Sequence, residues 1–192
     1  DAERMASATA SAIGAEACEV FVSSTGSIGP RLPVERIEAA LPTLAARLAE
    51  DHVRETAEAI MTTDTRPKYF ERVFDLGGVS VRMTAIAKGA GMIEPHMATM
   101  LALITTDAVV PPGPLDAALR LAVEQSFNRI SVDGDCSTND TVLLLANGAA
   151  GHDPLTPDHP DWPVFQHQLN EVTLAMAQAI VGDGEGLSRT VT

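Results

Sequence analysis

The sequence predicts a mixed α/β fold, and three observations carry the prediction. Phe165, Leu169, Val172, Met176 and Ile180 recur at helical spacing and form the most regular apolar stripe in the chain. Val79-Ser80-Val81-Arg82-Met83 alternates apolar and polar residues, as a half-buried strand does, and follows a turn at Asp75 to Gly78. Met100 to Thr106 reads as a buried strand, and the Pro111-Pro112-Gly113-Pro114 linker separates it from another helical pattern. Helices and strands therefore interleave along the chain, which places it in the α/β or α+β class.

Taken in order, Met5, Ala8, Ala12 and Ile13 share one face of an opening helix that Gly14 is placed to end. Glu19 to Ser23 reads as a short strand, running into the small-residue turn Ser24-Thr25-Gly26-Ser27-Ile28-Gly29-Pro30. Ile37, Leu41, Leu44 and Leu48 mark a second helix in spite of Pro42. Val53, Ala57 and Ile60 mark a third, ending near Met61 to Asp64. Two strands flank Asp75 to Gly78, and Ala87 to Met92 reads as a flexible crossing. Leu115, Leu119, Ala122 and Val123 form a helix; Ile130 and Val132 suggest another strand; a helix is expected from near Ser137 to Gly148. The Phe165–Ile180 stripe closes the series and stops at Gly182.

Composition narrows the function classes. The chain has 192 residues, with 13 Lys plus Arg against 26 Asp plus Glu, for a formal charge of −13. Nucleic acids and anionic membrane surfaces need clustered Lys and Arg, so neither is expected as a partner. With one Trp, one Tyr and five Phe there is no stacking platform for single-stranded nucleic acid either. Apolar runs such as Val142 to Ala146 fall far short of the ~18 residues of a spanning helix. Two cysteines, Cys18 and Cys136, do not make a disulfide scaffold. A soluble protein of a reducing compartment is expected. The chain begins at Asp1 with no signal-like region, which points to a processed start or to a segment of a longer chain.

Familiar site motifs fail on inspection. Lys88-Gly89-Ala90-Gly91 lacks the Gly-Lys-Ser/Thr ending of a phosphate-binding loop. Asp133 to Ser137 begins like a calcium loop, but Thr138 and Leu144 stand where Gly and Glu are required. His52, His96, His152, His159 and His167 form no zinc or triad pattern. What remains is a set of hydroxyl turns: Ser24-Thr25-Gly26, Thr62-Thr63-Asp64 and Thr105-Thr106-Asp107, with Ala98-Thr99 just before the buried run. By residue type alone these read as caps and turns.

Taken together, several stretches resemble the ornithine acetyltransferase family, the bifunctional glutamate N-acetyltransferases of arginine biosynthesis (the ArgJ type). They are Ser24 to Gly29, Ala59 to Lys68, Ala87 to Pro95, Met97 to Leu101, Ser126 to Asn128, Asp133 to Asp140 and Asp183 to Gly186. Their order and spacing cover nearly the whole chain, which makes the set specific where each motif alone is weak.

The resemblance implies a layered αββα-type sandwich, present here as an incomplete segment. It implies self-cleavage between Ala98 and Thr99, so that 1–98 is the end of an α-chain part and 99–192 the start of a β-chain part. Thr99 is then the nucleophile. Its freed α-amino group, with a reference pKa of ~7.7–8.0, can serve as the local base, so no histidine is needed. Thr25 and Gly26 are implied as the oxyanion hole, and Thr62, Lys88, Thr99 and Glu185 as substrate contacts. Lys88 suits an α-carboxylate and Glu185 an amino group. The implied reaction moves an acetyl group from N2-acetylornithine to glutamate, with acetyl-CoA a further donor in some members. No metal, nucleotide or organic cofactor is expected. The implied setting is the cytoplasm and the implied assembly an α2β2 heterotetramer of the cleavage products. Family proteins are longer, and the part beyond Thr192 would add an asparagine and a terminal hydroxyl residue to the pocket. The alternatives are a self-cleaving aminopeptidase or amidase, in which water accepts the acyl group, and a catalytically silent fragment.

Overall fold

The computed structural model of the chain describes residues 1–26, 29–94, 97–98, 100–135, 137–186 and 188–189, with the backbone alone at 94, 97 and 98. It divides into two compact units, Asp1–His52 and Val53–Thr192.

In the first unit, helix α1 (Ala2–Ile13) packs on α2 (Val34–Ala45). Gly14 ends α1 in the left-handed conformation (φ 75°) and its N–H returns to the Ala10 carbonyl, the C-terminal role its position predicts. Pro42 lies inside α2, as expected. Arg4 bridges Glu35 at 3.1 Å and Glu38 at 2.6 Å across the two helices, an exposed arrangement of small energetic weight. The strand expected at Glu19 to Ser23 is absent. A single 3-10 turn, Ala17–Glu19, stands there and the chain continues without a strand through Gly26. An apolar alternation two residues deep makes no strand without a ladder partner to receive it.

In the second unit, α3 (Val53–Ala59) leads into β1 (Lys68–Leu76) and β2 (Val79–Lys88), an antiparallel hairpin. Its turn, Gly77-Gly78, has both residues at positive φ (61° and 90°), which glycine alone adopts without cost. The short pair β3 (Ile93–Glu94) and β4 (Met97–Ala98) sets Ile93 opposite Ala98. Strand β5 (Leu101–Thr106) pairs antiparallel with β2, α4 (Pro112–Glu124) crosses over, and β6 (Thr141–Ala146) pairs parallel with β5. The sheet order is β1-β2-β5-β6.

Helix α5 (Trp162–Val181) buries its predicted stripe: Phe165, Leu169, Val172, Met176 and Ile180 are all fully buried. They join Val81, Met83, Ala85 and Ala87 of β2 and Ala102 and Ile104 of β5 in one core. These sheet residues alternate along their strands and so share one face. At about 25 cal/mol per Å² of apolar surface, such burial is the dominant stabilising term of the unit.

Two further expectations are corrected here. The helix expected from Ser137 to Gly148 is strand β6, and the strand expected at Ile130 and Val132 is a 3-10 turn (Phe127–Arg129) followed by a loop. Leu143-Leu144-Leu145-Ala146 has strong helical propensity, but a parallel slot beside β5 takes the segment as a strand.

Candidate active site

The candidate site in the second unit is built where β2 ends. Alternation along β2 sets Lys88 on the opposite face from Ala87, yet Lys88 is only 3% exposed. Its Nζ donates to Thr62 Oγ1 at 2.7 Å, so the turn after α3 and the end of β2 meet through these two side chains. Burial pushes the Lys88 ammonium below its ordinary value; Asp64 pulls it back, Lys68 lowers it further and Glu185 raises it. A desolvated cation of this kind attracts an anion more strongly than a solvated one does.

Glu185 arrives from the far end of the unit. The loop after α5 is tied down by the Glu185 N–H, which donates to the Ala90 carbonyl at 2.7 Å. Its carboxylate lies against Gly91: a Cβ there would stand 3.0 Å from Glu185 Cδ and 3.1 Å from each oxygen. A side chain at 91 would therefore make the Glu185 carboxylate give way by a few tenths of an ångström. Thr62 and Glu185, both exposed residues, flank the buried Lys88.

Beneath them lies an ion cluster that the sequence reading missed. Lys68 Nζ donates to Asp64 Oδ1 and to Asp183 Oδ2, each at 2.6 Å, with all three side chains buried. Asp64 also accepts the Gly89 N–H at 2.7 Å and the Thr62 N–H at 3.2 Å. Asp183 accepts the Thr65 N–H at 3.0 Å and the Thr65 hydroxyl. Burial pushes both carboxyls up. For Asp64 the Gly89 amide, Lys68 and the Thr62 amide outweigh it; for Asp183, Lys68 and Thr65 do, and both end below the ordinary value. The cluster joins the turn bearing Thr62, the end of β2 bearing Lys88 and the loop bearing Glu185. Asp64, Lys68 and Asp183 all fall within the motif stretches quoted above.

The remaining predicted residues stand as follows. Ala98 ends the short pair β3/β4, and Thr99 lies outside the described residues. Met100, immediately after it, is buried, with its N–H on Asp140 Oδ1 at 2.8 Å. Thr25 is half-buried and Gly26 exposed, both in the first unit. The Asp133 carboxylate, weighed above as a calcium ligand, accepts backbone N–H groups from Met92 at 2.5 Å and Ile93 at 2.8 Å. Among the described residues, no group of three or more His, Cys, Asp or Glu is gathered for a metal ion. Among the same residues, no helix is long and apolar enough to cross a membrane.

Comparison with known proteins gives the lineage. The sequence model of the ArgJ family matches residues 1–192. The arginine biosynthesis bifunctional protein ArgJ of Geobacter sulfurreducens is 50% identical over 191 residues, covering all of this chain and 49% of that protein. The protein of the same name from Symbiobacterium thermophilum is 46% identical over 191 residues and is covered to 48%. A mitochondrial ArgJ of Sordaria macrospora is 46% identical over 197 residues and covered to 42%. A crystal structure of the ArgJ protein of Bacillus halodurans aligns over 45% of this chain and 41% of that one, at 45% identity and a TM-score of 0.45. The chain spans about half the length of the curated relatives it matches. With the family model matched from end to end and relatives at this identity, the chain belongs to the ArgJ family.

Proposed function

We propose that the protein containing this chain is an acetyltransferase of arginine biosynthesis that carries an acetyl group from N2-acetylornithine to glutamate. The observation that carries the reading is the gathering of a desolvated cation, a hydroxyl and a carboxylate at the end of β2. Lys88, Thr62 and Glu185 together complement an amino acid that presents a carboxylate and an amino group. The names of the relatives, all in arginine biosynthesis, support the same substrate class.

In this reading the Thr99 hydroxyl first attacks the Ala98 carbonyl carbon. The Ala98–Thr99 C–N bond breaks, the nitrogen takes the proton, and water hydrolyses the resulting ester. The freed α-amino group of Thr99 then acts as the local base. Thr99 Oγ attacks the acetyl carbon of N-acetylornithine, the amide C–N bond breaks, and ornithine leaves with the proton on its nitrogen. The amino nitrogen of glutamate attacks the acetyl-threonine ester, N-acetylglutamate departs, and the hydroxyl is restored. The Thr25 hydroxyl and the Gly26 N–H serve as the oxyanion donors, a role whose loss typically costs ~10²–10³ in rate. Lys88 takes the α-carboxylate that both substrates share, and Glu185 the side-chain amino group of ornithine. The working assembly in this reading is the α2β2 heterotetramer of residues up to 98 and from 99 onward, with the rest of the protein, in the cytoplasm. The relatives named mitochondrial are fungal.

The test is intact mass with a rapid quench. Full-length protein divides between Ala98 and Thr99, and Thr99→Ala stays as one chain. Mixed with N-acetylornithine alone, the fragment beginning at Thr99 gains one acetyl group, which added glutamate removes as N-acetylglutamate. A Thr99→Ala protein that still divides there refutes the nucleophile. Loss of the acyl group to water, with or without glutamate, assigns the protein to the amidase class instead.

A further inference from the structure

A nucleophile that becomes a chain terminus keeps one covalent tether, the peptide bond to the following residue. Termini are otherwise the part of a fold most prone to fraying. In this chain that following residue is Met100, and the structure holds it at both of its backbone polar groups. The Met100 N–H donates to Asp140 Oδ1 at 2.8 Å, and its carbonyl accepts the Thr141 N–H at 3.1 Å. The residue is 4% exposed. The parallel register of β5 and β6 begins one residue later, at Leu101 opposite Thr141. The Asp140 carboxylate thus stands just ahead of the ladder and takes the amide that the ladder does not.

The residue chosen for this task is a costly one. Among the described residues, Asp140 Oδ2 is buried with no hydrogen-bond partner. A carboxylate oxygen so placed is destabilising, and burial pushes the Asp140 carboxyl up to about 6 although the Met100 amide pulls the other way. A neutral cap such as Asn or Ser would satisfy the same N–H at less cost. Groups kept at a cost in stability concentrate at working sites. The other side of the proposed cut is held from the same stretch, residues 132–140: Asp133 accepts the Met92 and Ile93 amides, the Val132 N–H donates to the Ile93 carbonyl at 2.8 Å, and Ile93 pairs with Ala98.

We propose that Asp140 is a positioning residue for the Thr99 nucleophile, fixing through the Met100 amide the one tether by which the cleaved terminus is held. This rests on the reading of Thr99 as nucleophile, and the experiment separates the two. In full-length protein, Asp140→Ala, Asp140→Asn, Asp140→Glu and Thr99→Ala are followed for self-cleavage by intact mass. After cleavage they are followed for kcat and KM with N-acetylornithine. Misplacement of a reacting group by about 1 Å costs ~10²-fold, so Asp140→Ala slows cleavage and lowers kcat by at least ~10-fold with KM nearly unchanged. Asp140→Asn, which retains an acceptor oxygen at the same reach, recovers most of that loss. Asp140→Glu, which keeps the charge but displaces the acceptor by one methylene, does not.

A simple ladder cap would lower the melting temperature and leave the kcat of the folded fraction unmoved. Wild-type cleavage and kcat in folded Asp140→Ala overturn the proposal, as does Asp140→Asn falling as far as Asp140→Ala. If Asp140→Ala does not fold, full activity of folded Asp140→Glu overturns it. Division of Thr99→Ala at the same bond would instead remove the reading on which it stands.

Discussion

Replacing Lys68 with Met removes an ammonium from beneath the candidate site and little else, since Met keeps an unbranched apolar stem of similar length. In the native unit that ammonium lies 2.6 Å from Asp64 Oδ1 and 2.6 Å from Asp183 Oδ2, the three side chains being 0–3% exposed. Removing one member of a buried pair costs ~3–5 kcal/mol, because the surviving charge is left uncompensated. Here two charges survive, but each keeps other donors: the Gly89 and Thr62 amides on Asp64, the Thr65 amide and hydroxyl on Asp183. Those donors set the expected loss near ~3 kcal/mol. For a domain of this size each kcal/mol lowers Tm by ~2–4 °C, so Lys68→Met melts ~6–12 °C below wild type at neutral pH.

The pH dependence has a definite sign. In the native unit both carboxyls are held below their ordinary value, so their stabilisation is present above that value and is lost as pH falls through the lower folded one. Without Lys68, burial is less opposed, the folded-state values move up, and at neutral pH the variant bears two ionised carboxylates in a desolvated place. Acid neutralises them. The Tm gap between wild type and Lys68→Met is therefore widest near about pH 7–8 and narrows toward about pH 4–5. Calorimetric melts at three pH values measure it. A gap below ~2 °C at neutral pH, or one that does not change with pH, refutes the argument that charge holds these loops together.

Three further outcomes are expected. Gly91→Ala has an allowed backbone but sets a methyl 3.0 Å from Glu185 Cδ, so it raises KM for N-acetylornithine ~3–10-fold while Tm stays within ~2 °C; a large Tm loss would make Gly91 a structural residue only. Lys88→Ala lowers kcat/KM for N-acetylornithine and for glutamate alike, by ~10–100-fold for a lost charge-assisted hydrogen bond, whereas Glu185→Ala hurts the ornithine side more; equal small effects in steady-state kinetics would return both to ordinary solvent-facing roles. Asp140→Asn removes an ionised carboxylate whose value is raised from 3.8 to about 6, a cost of at most ~3 kcal/mol and of ~1–2 once partial solvent access is allowed for. A raised folded value stabilises below the unfolded one and is lost as pH rises through about 6, so the variant gains Tm over wild type above that pH and gains none near pH 4; a gain of equal size at both would contradict it.

What the sequence made legible was whatever local pattern decides. The α5 stripe at Phe165 to Ile180, the Gly77-Gly78 hairpin, the strand at Leu101 to Thr106 and the Pro-started helix α4 all follow from period, turn chemistry and capping. Strand β6 was not legible, because Val142 to Ala146 is apolar at every position and carries no period to separate strand from helix; its neighbour β5 decides. The site divides in the same way. Thr62, Lys88 and Glu185 were found through motif resemblance, and the structure brings them to one end of β2. The Lys68–Asp183 pair joins residues 115 positions apart, and Asp140 reaches Met100 across 40, so neither appears in any local spacing.

The acidity of the chain then has two meanings. As a total of −13 it bears on partners, but four of its aspartates are bound to the backbone of the fold. Asp64 accepts the amides of Thr62 and Gly89, Asp133 those of Met92 and Ile93, Asp140 that of Met100, and Asp183 that of Thr65. In every case the carboxylate holds a loop backbone in place. The segments so held carry Thr62, the residue after Lys88 at the end of β2 and the residue after Thr99, and the same cluster anchors the loop leading to Glu185. A helix or strand would fix such residues by its own ladder, but irregular segments have no ladder and leave their N–H groups to be satisfied otherwise. Charged acceptors do this with hydrogen bonds about twice as strong as neutral ones.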